Sequence, residues 1–411
     1  METRRRRVLV LAYFFPPLGG AGVQRTLKFV KYLGALGWDA TVVSTRSALY
    51  PARDPSLLEE VPEKTRVIRT PALPLAHWVS LVLYRLRLKR LFAWVTWPDG
   101  GVGWFPFALW AGLGAARRDR PDVIFSSSPP QSGHMAALVV HRLTGIPWVA
   151  DFRDEWAADA HRADQPRTLA RLAARFERAF TKRARRSVAA AGYFEIAGLA
   201  NDDPRRVEIP NGVDEADLPR SIHPPADRFV LAYVGTIYGI RDPSPVFRAL
   251  ARLIDRGEVD RGRFEVRLVG SLWLEGFEPP AGIDVQSTGY VDHSRALQEM
   301  SAATALLLYV PSASLAPSGK LFEYLASGRP ILCLAHPDNL ASRLVSDWGA
   351  GVVADPHDES EIERAILTLW QRWQQTGLPD QEDVRRRTLE QYSRRGGAER
   401  LAAVLEAASN R

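Results

Sequence analysis

The feature that most limits how this chain can fold is a repeated alternation of short apolar runs with longer amphipathic ones. Apolar runs occupy residues 8–14, 40–44, 122–126 and 148–152, and apolar residues recur at helical spacing over 22–36 and 131–143. Residues 168–190 read as one long, Arg-rich amphipathic helix. A short apolar run bounded by turn residues predicts a strand buried on both faces, and strand–helix alternation predicts a parallel sheet covered by helices on both sides. The alternation then restarts. Strands are expected over 229–235, 264–270, 305–309 and 331–334, and helices over 243–254, 296–301 and 321–326. Two doubly wound α/β units follow from this. The cluster Asn201-Asp202-Asp203-Pro204 marks the join, which sets the units at 1–203 and 204–388. In the remaining segment, 389–411, a helix over 398–408 is expected to pack back on the first unit.

A chain of 411 residues with 46% hydrophobic and 25% charged residues can bury two cores, so disordered and fibrous classes are excluded. The net charge of +7 suits anionic partners. Nearly all the cations are Arg; with six Lys in the chain, each Lys stands out. The single cysteine, Cys333, lies in an apolar run. It excludes a disulfide framework and a Cys-based zinc site, and fits a reducing, cytoplasmic setting. Four arginines, Arg4 to Arg7, precede the apolar run 8–15, which superficially resembles a secretory signal. That run is short and ends in Pro16-Pro17 and glycines, so it reads as a first strand. No run reaches the ~18 apolar residues that a membrane span needs. Residues 75–113 hold five of the twelve Trp residues and the cluster Arg85-Leu86-Arg87-Leu88-Lys89-Arg90. One reading is a peripheral element for a membrane surface at its inner face or for a lipid acceptor; the other is a set of helices covering the sheet.

Several motifs sit where an open parallel sheet binds ligands, at the carboxyl ends of its strands. Gly19 and Gly20 follow the first strand and open the first helix, so backbone N–H groups there can approach a phosphate. The spacing is not that of a dinucleotide fingerprint. Ser126-Ser127-Ser128 ends another strand, with His134 on the next helix; Ser128 suits a polyhydroxyl acceptor, and His134 reads as either structural or catalytic. Beyond the strand at 148–152, Asp151, Arg153 and Asp154 are expected to project, Asp151 as an acid/base or sugar-orienting group and Arg153 as a partner for carboxylate or phosphate. An internal ion-pair network is the other reading. In the second unit, Gly235 and Thr236 form a turn followed by Arg241, an arrangement that suits a diphosphate. The sharpest motif is Ser318-Gly319-Lys320-Leu321-Phe322-Glu323. Here a rare Lys in a Ser/Gly turn meets a helix start, with a carboxylate three residues on along the same face. Lys320 suits a phosphate and Glu323 both hydroxyls of a ribose.

Taken in order, the Pro-Pro-Leu-Gly-Gly opening, Pro121-Asp122-Val123-Ile124, Ile209-Pro210-Asn211-Gly212-Val213-Asp214, Val234-Gly235 and Lys320 to Pro330 resemble the family 4 class of GT-B glycosyltransferases over nearly the whole chain. The resemblance implies two Rossmann-like domains facing a cleft. It implies retaining transfer from a nucleotide-sugar donor, held mainly by the C-terminal unit, to a glycan, lipid-linked sugar or small-molecule acceptor. It implies no metal and no resident cofactor, and the chain has no Asp-x-Asp motif. Nucleic acid is not an expected partner. By the same resemblance Lys320 and Arg241 neutralise the diphosphate and Glu323 holds the ribose, while the Gly19-Gly20 loop closes on phosphates or acceptor. The segment from Asp151 to Trp156 is similar to a subgroup that builds polysaccharides or decorates lipid-linked sugars. This chain departs from the family pattern in three places. Leu315 stands where a first Glu is common, Thr236 where an Arg is common, and Asp151 with Arg153 near the usual cleft His, for which His134 is the candidate substitute. Two other readings share the architecture: a sugar-nucleotide epimerase, and a degenerate membrane-associated binding protein.

Overall fold

The computed structural model describes residues 4–46, 52–74, 83, 89–158, 166–191, 194–219, 222–238, 242–274, 277–278, 280–310 and 319–410. The chain divides into two compact units, Met1–Asn211 with Arg394–Arg411, and Gly212–Ser393.

The first unit is built on seven parallel strands: β1 (Arg6–Leu11), β2 (Trp38–Thr45), β3 (Arg66–Thr70), β4 (Val123–Ser128), β5 (Trp148–Phe152), β6 (Arg186–Ala189) and β7 (Arg206–Glu208). They lie in the order β3-β2-β1-β4-β5-β6-β7, so the winding direction reverses between β1 and β4. The helices are α1 (Ala21–Ala35), α2 (Lys89–Val95), α3 (Phe105–Asp119), α4 (Ser132–Thr144) and α5 (Arg167–Arg183). The arginine-led apolar run near the N-terminus is therefore a central strand, with Val8 to Leu11 fully buried. The Arg-rich helix is shorter than its pattern suggests. It stops at Arg183, the Ala184 N–H bonds Phe180 O at 2.8 Å, and the Arg185 N–H bonds Trp148 O at 2.8 Å. From there the chain runs as β6, whose apolar residues Val188 and Ala189 are buried, as is Ala190 just beyond it. An apolar stretch that joins a helix end to a buried strand carries no periodicity to separate the two.

The join at 203–204 does not end the first unit. Asp203 makes a turn, accepting from the N–H of Arg205 and, through its carbonyl, from that of Arg206, each at 2.8 Å. The chain then returns as β7 to the edge of the same sheet, and the unit runs on to Asn211.

The second unit has a six-stranded parallel sheet made of β8 (Phe229–Val234), β10 (Phe264–Val269), β12 (Asp284–Gly289), β13 (Ala305–Tyr309), β14 (Ile331–Leu334) and β15 (Gly351–Ala354), in the order β12-β10-β8-β13-β14-β15. A two-stranded extension pairs β9 (Ile237–Tyr238) with β11 (Leu272–Trp273). Its helices are α6 (Ser244–Asp255), α7 (His293–Ala302), α8 (Gly319–Ser327), α9 (Leu340–Asp347), α10 (Glu359–Thr376) and α11 (Glu382–Tyr392). Strand β8 shows why this is doubly wound. Phe229, Leu231 and Tyr233 enter one core with α6 and α10, while Val230, Ala232 and Val234 enter another with α7, α8 and α9. The reversal here lies between β8 and β13. The last helix, α12 (Arg394–Ser409), belongs to the first unit, where Ala398, Leu401, Val404, Leu405 and Ala408 join the core that holds Val23, Leu27 and Val30 of α1.

Candidate functional site

In the second unit the candidate residues meet at the reversal point. Strands β8 and β13 pair only at Leu231–Ala305 and Ala232–Leu306, then separate. The backbone N–H freed at Val234 is satisfied by the buried Tyr324 of α8, whose hydroxyl oxygen accepts it at 2.9 Å. This bond seats the first turns of α8 over the opening. Beyond Val234 the chain turns at Gly235, with φ +137°, and its N–H bonds Val269 O at 2.6 Å. A Cβ on Gly235 would lie 1.8 Å from Lys320 Nζ, so only glycine leaves room for that ammonium group. A second glycine backs the first: a Cβ on Gly270 would lie 2.5 Å from Gly235 O. Lys320 Nζ donates to Tyr233 Oη at 3.2 Å and lies 4.7 Å from the centre of that ring. Thr236, in the same turn, accepts the Tyr233 hydroxyl proton through its carbonyl at 3.1 Å.

Glu323 lies one turn along α8 from Lys320. Half-buried, it has no hydrogen-bond or ion-pair partner among the described residues. A carboxylate in that setting retains its full capacity to accept. Gly319 opens the helix, and no described residue comes within 4 Å of where its Cβ would be. Arg385 of α11 caps the other end, donating to Ala326 O at 2.9 Å and to Ser327 O at 3.4 Å. The helix thus presents its partly positive end, a cation and an open carboxylate together, a set that can hold an anionic group joined to a diol. Tyr309, at the end of β13, is held neutral: burial first, then Asp242 and Asp355, push its hydroxyl pKa up. Arg241, Ser318 and Leu315 lie outside the described residues.

The first unit treats its candidates differently. Asp151 is fully buried rather than projecting. Its carboxylate accepts from Arg25 Nη2 at 2.7 Å, from Arg25 Nε at 3.0 Å and from Ser127 Oγ at 2.7 Å. Arg25, a buried residue of α1 that the sequence reading passes over, also donates to Pro210 O at 3.1 Å. Arg153 is turned inward as well. It donates from Nε to Ser128 O at 3.1 Å, from Nη2 to Pro129 O at 2.6 Å and from Nη1 to Gly22 O, which ties the start of α1 to the end of β4. Ser128 is buried with its hydroxyl 3.4 Å from Asp151 O. Neither Asp151 nor Arg153 stands as a free acid, base or phosphate ligand. They form the internal network that was the other reading, because a charge at the end of a fully covered strand needs a partner inside the protein.

His134 is also internal. It accepts or donates at Nδ1 with Ser126 Oγ at 2.7 Å, sits among Trp148, Phe152 and Phe180, and is completely buried. Burial is the main reason its pKa falls to about 3, so the ring is neutral at physiological pH and offers no charge to a phosphate. It does not substitute for an exposed His. Gly20 and Asp154 are exposed beyond the ends of β1 and β5, and Gly19 is buried. Gly20 has φ +84° at the start of α1, with no side-chain cap, and Gly19 bonds Ala52 O at 2.9 Å. The start of α4, by contrast, already holds an anion: Asp99 accepts from the N–H of Gln131 at 2.5 Å and of Ser132 at 3.2 Å. The signal for Arg25 was a cation within the helical stripe of α1, and a strand-end acid, Asp151, calls for such a partner.

The Trp-rich segment splits. Trp104 is buried and donates to Thr70 Oγ1 at 2.7 Å, and Trp97 packs on Trp156 and Phe176. Trp94 and Trp110 are exposed. Trp78 and residues 84–88 lie outside the described residues. No described helix is long and apolar enough to cross a membrane.

Comparison with known proteins agrees with this geometry. Residues 19–212 match the model of the glycosyl transferase 4-like domain. Sucrose-phosphate synthase from Thermosynechococcus elongatus superposes with a TM-score of 0.66 at 14% identity, covering 98% of this chain and 99% of that one. Anabaena HepE, solved with UDP and glucose, superposes with a TM-score of 0.65 at 16% identity, covering 98% and 100%. A UDP-N-acetylglucosamine–N-acetylmuramyl-(pentapeptide) pyrophosphoryl-undecaprenol N-acetylglucosamine transferase of Thermus thermophilus is 35% identical over 141 residues, 34% of this chain and 37% of that relative's length. With two all-parallel α/β units in the arrangement of strands described above, the chain carries a region, residues 19–212, that matches the glycosyl transferase 4-like domain, and it has the fold of the GT-B glycosyltransferases.

Proposed function

We propose that the protein moves a glycosyl group from a nucleotide-diphosphate sugar to a hydroxyl of a saccharide or lipid-linked acceptor, with retention of configuration and without a metal ion. The observation that carries this reading is the Lys320 ammonium seated against the side-chain-free Gly235 turn, one helical turn from Glu323, which has no partner among the described residues. In the reaction the bond from the anomeric carbon to the diphosphate oxygen breaks, and its electron pair stays on that oxygen. The acceptor oxygen forms the new bond, and its proton passes to the departing diphosphate. Negative charge grows on the leaving group, so Lys320 and the N–H groups that open α8 lower the barrier by being in place beforehand. Glu323 holds the ribose. The HepE complex and the name of the Thermus relative favour a uridine diphosphate donor. The same Thermus name, and the exposed Trp94 and Trp110, favour a lipid-linked acceptor met at a membrane surface.

The test is turnover of UDP-sugars with and without acceptor, in EDTA, with the anomeric configuration of the product read by NMR. Lys320→Ala is expected to lower kcat by at least ~100-fold with an unchanged melting temperature. Full activity in that variant would remove Lys320 from the mechanism. Donor conversion without acceptor would favour an epimerase.

A further inference from the structure

Lys320 carries a long flexible side chain, and something must decide where its ammonium waits. We propose that Tyr233 is the positioning residue that sets the Lys320 ammonium for a nucleoside diphosphate; the proposal rests on the reading of the site given above. Tyr233 is the next-to-last residue of β8 and only 4% exposed, with its ring packed into the core shared with α6 and α10. A core filler of that kind needs no hydroxyl, yet this one is fully used. Its proton goes to Thr236 O at 3.1 Å, so its oxygen faces the ammonium with lone pairs, and Lys320 Nζ donates to it at 3.2 Å. The hydrogen bonds therefore run in one direction, ammonium to hydroxyl to carbonyl, and each polarises the next. The same ring lies 4.7 Å from Nζ, where its negative face attracts the cation. On the other side the missing side chain of Gly235 leaves the space that the ammonium occupies, since a Cβ there would lie 1.8 Å from Nζ.

Three features of one strand end thus hold Lys320: the tyrosine ring, the tyrosine oxygen and the glycine gap. Thr236 belongs to the same chain of bonds, so the turn that follows β8 and the cation on α8 are fixed relative to each other. A Lys side chain loses rotamer freedom when it is pinned. Pinning it before the ligand arrives removes much of that cost from binding. The gain applies only to ligands with the second phosphate, so Tyr233 should govern diphosphate over monophosphate preference.

The experiment uses the full chain, as wild type, Tyr233→Phe, Tyr233→Leu and Lys320→Ala. UDP, GDP, ADP and dTDP are screened by thermal shift, and the diphosphate that stabilises wild type is titrated calorimetrically beside its monophosphate. Wild type should prefer the diphosphate, and Lys320→Ala should lose most of that preference. Tyr233→Phe keeps the ring and removes the oxygen, so it should weaken diphosphate binding about tenfold and leave monophosphate binding unchanged. Tyr233→Leu should weaken diphosphate binding further. In turnover, Tyr233→Phe should lower kcat more than it raises the donor KM. If Tyr233→Leu does not fold, Tyr233→Phe, nearly the same in shape, decides alone. An unchanged diphosphate-to-monophosphate ratio in a cooperatively melting Tyr233→Phe, with Lys320→Ala still impaired, overturns the role of Tyr233 and leaves the transferase reading standing. If no diphosphate stabilises wild type, the transferase reading falls and this inference falls with it.

Discussion

Asp151 and Arg25 are wholly inside the first unit, and two buried charges hold each other only while both are present. Removing one leaves the other without solvent or partner, which costs about 3–5 kcal/mol. Arg25→Met should therefore lower the melting temperature sharply, and Arg25→Met with Asp151→Leu should recover part of the loss; a thermal melt of the two variants checks the coupling. Glu177 of α5 is another buried acid, accepting from the Ala197 N–H at 2.8 Å. Burial, opposed by that bond, raises its pKa to about 7. The folded protein keeps the proton that the unfolded chain releases above its ordinary carboxylate range. The stability tied to Glu177 is therefore complete below that range and is lost as pH rises through about 7, on the order of a few kcal/mol. Glu177→Gln, which cannot ionise, should flatten the fall in melting temperature between pH 5 and pH 8. At this scale Lys320 and Glu323 were legible because a rare residue stood at a helix start in a turn context. The inward turn of Asp151, Arg153 and His134 was not legible, since a residue at a strand end reads alike whether the next layer covers it or not.

Between elements, what matters is how α8 meets the end of β8. Tyr324 occupies the bonding position that β13 vacates, Arg385 caps the far end, and Gly235 lets Lys320 through. Gly235→Ala puts a methyl where the ammonium sits, at a φ of +137° that side chains rarely adopt. The far end of a lysine can move aside, so the fold should survive with a loss of about 1–3 kcal/mol, while nucleoside diphosphate affinity drops markedly. Parallel melts and calorimetric titrations separate the two effects. Strands β1, β2, β4, β5, β8, β10, β13 and β14 could be read from their apolar runs. Strand β12 could not: its residues are mostly exposed, and it is a strand through its pairing with β10. Strand β6 was hidden because its apolar residues continue the helix before it.

For the whole molecule, the first unit is discontinuous. It leaves at Asn211 and is completed by α12 after Ser393. Cutting the chain before Arg394 should destabilise that unit, since Leu401, Val404 and Leu405 each contribute about 1.5–3 kcal/mol by burial. The stabilisation of the second unit by a nucleoside diphosphate should persist. Hydrogen exchange resolved along the chain would show protection lost in β1 and α1 and kept around β8 and α8; equal loss in both would refute this. The amino-acid sequence by itself determined the two parallel α/β units, because an apolar run of strand length followed by an amphipathic helix has few other ways to bury its surface. It also determined the Gly235 turn and the Lys320–Glu323 pair, whose spacing within one helix is local geometry. Only the tertiary structure decided which charges at strand ends face inward, where β6 and β7 join the sheet, and that Tyr233 meets Lys320. Those outcomes depend on contacts between residues far apart in the chain, and no local pattern records which groups the folded core will bring together.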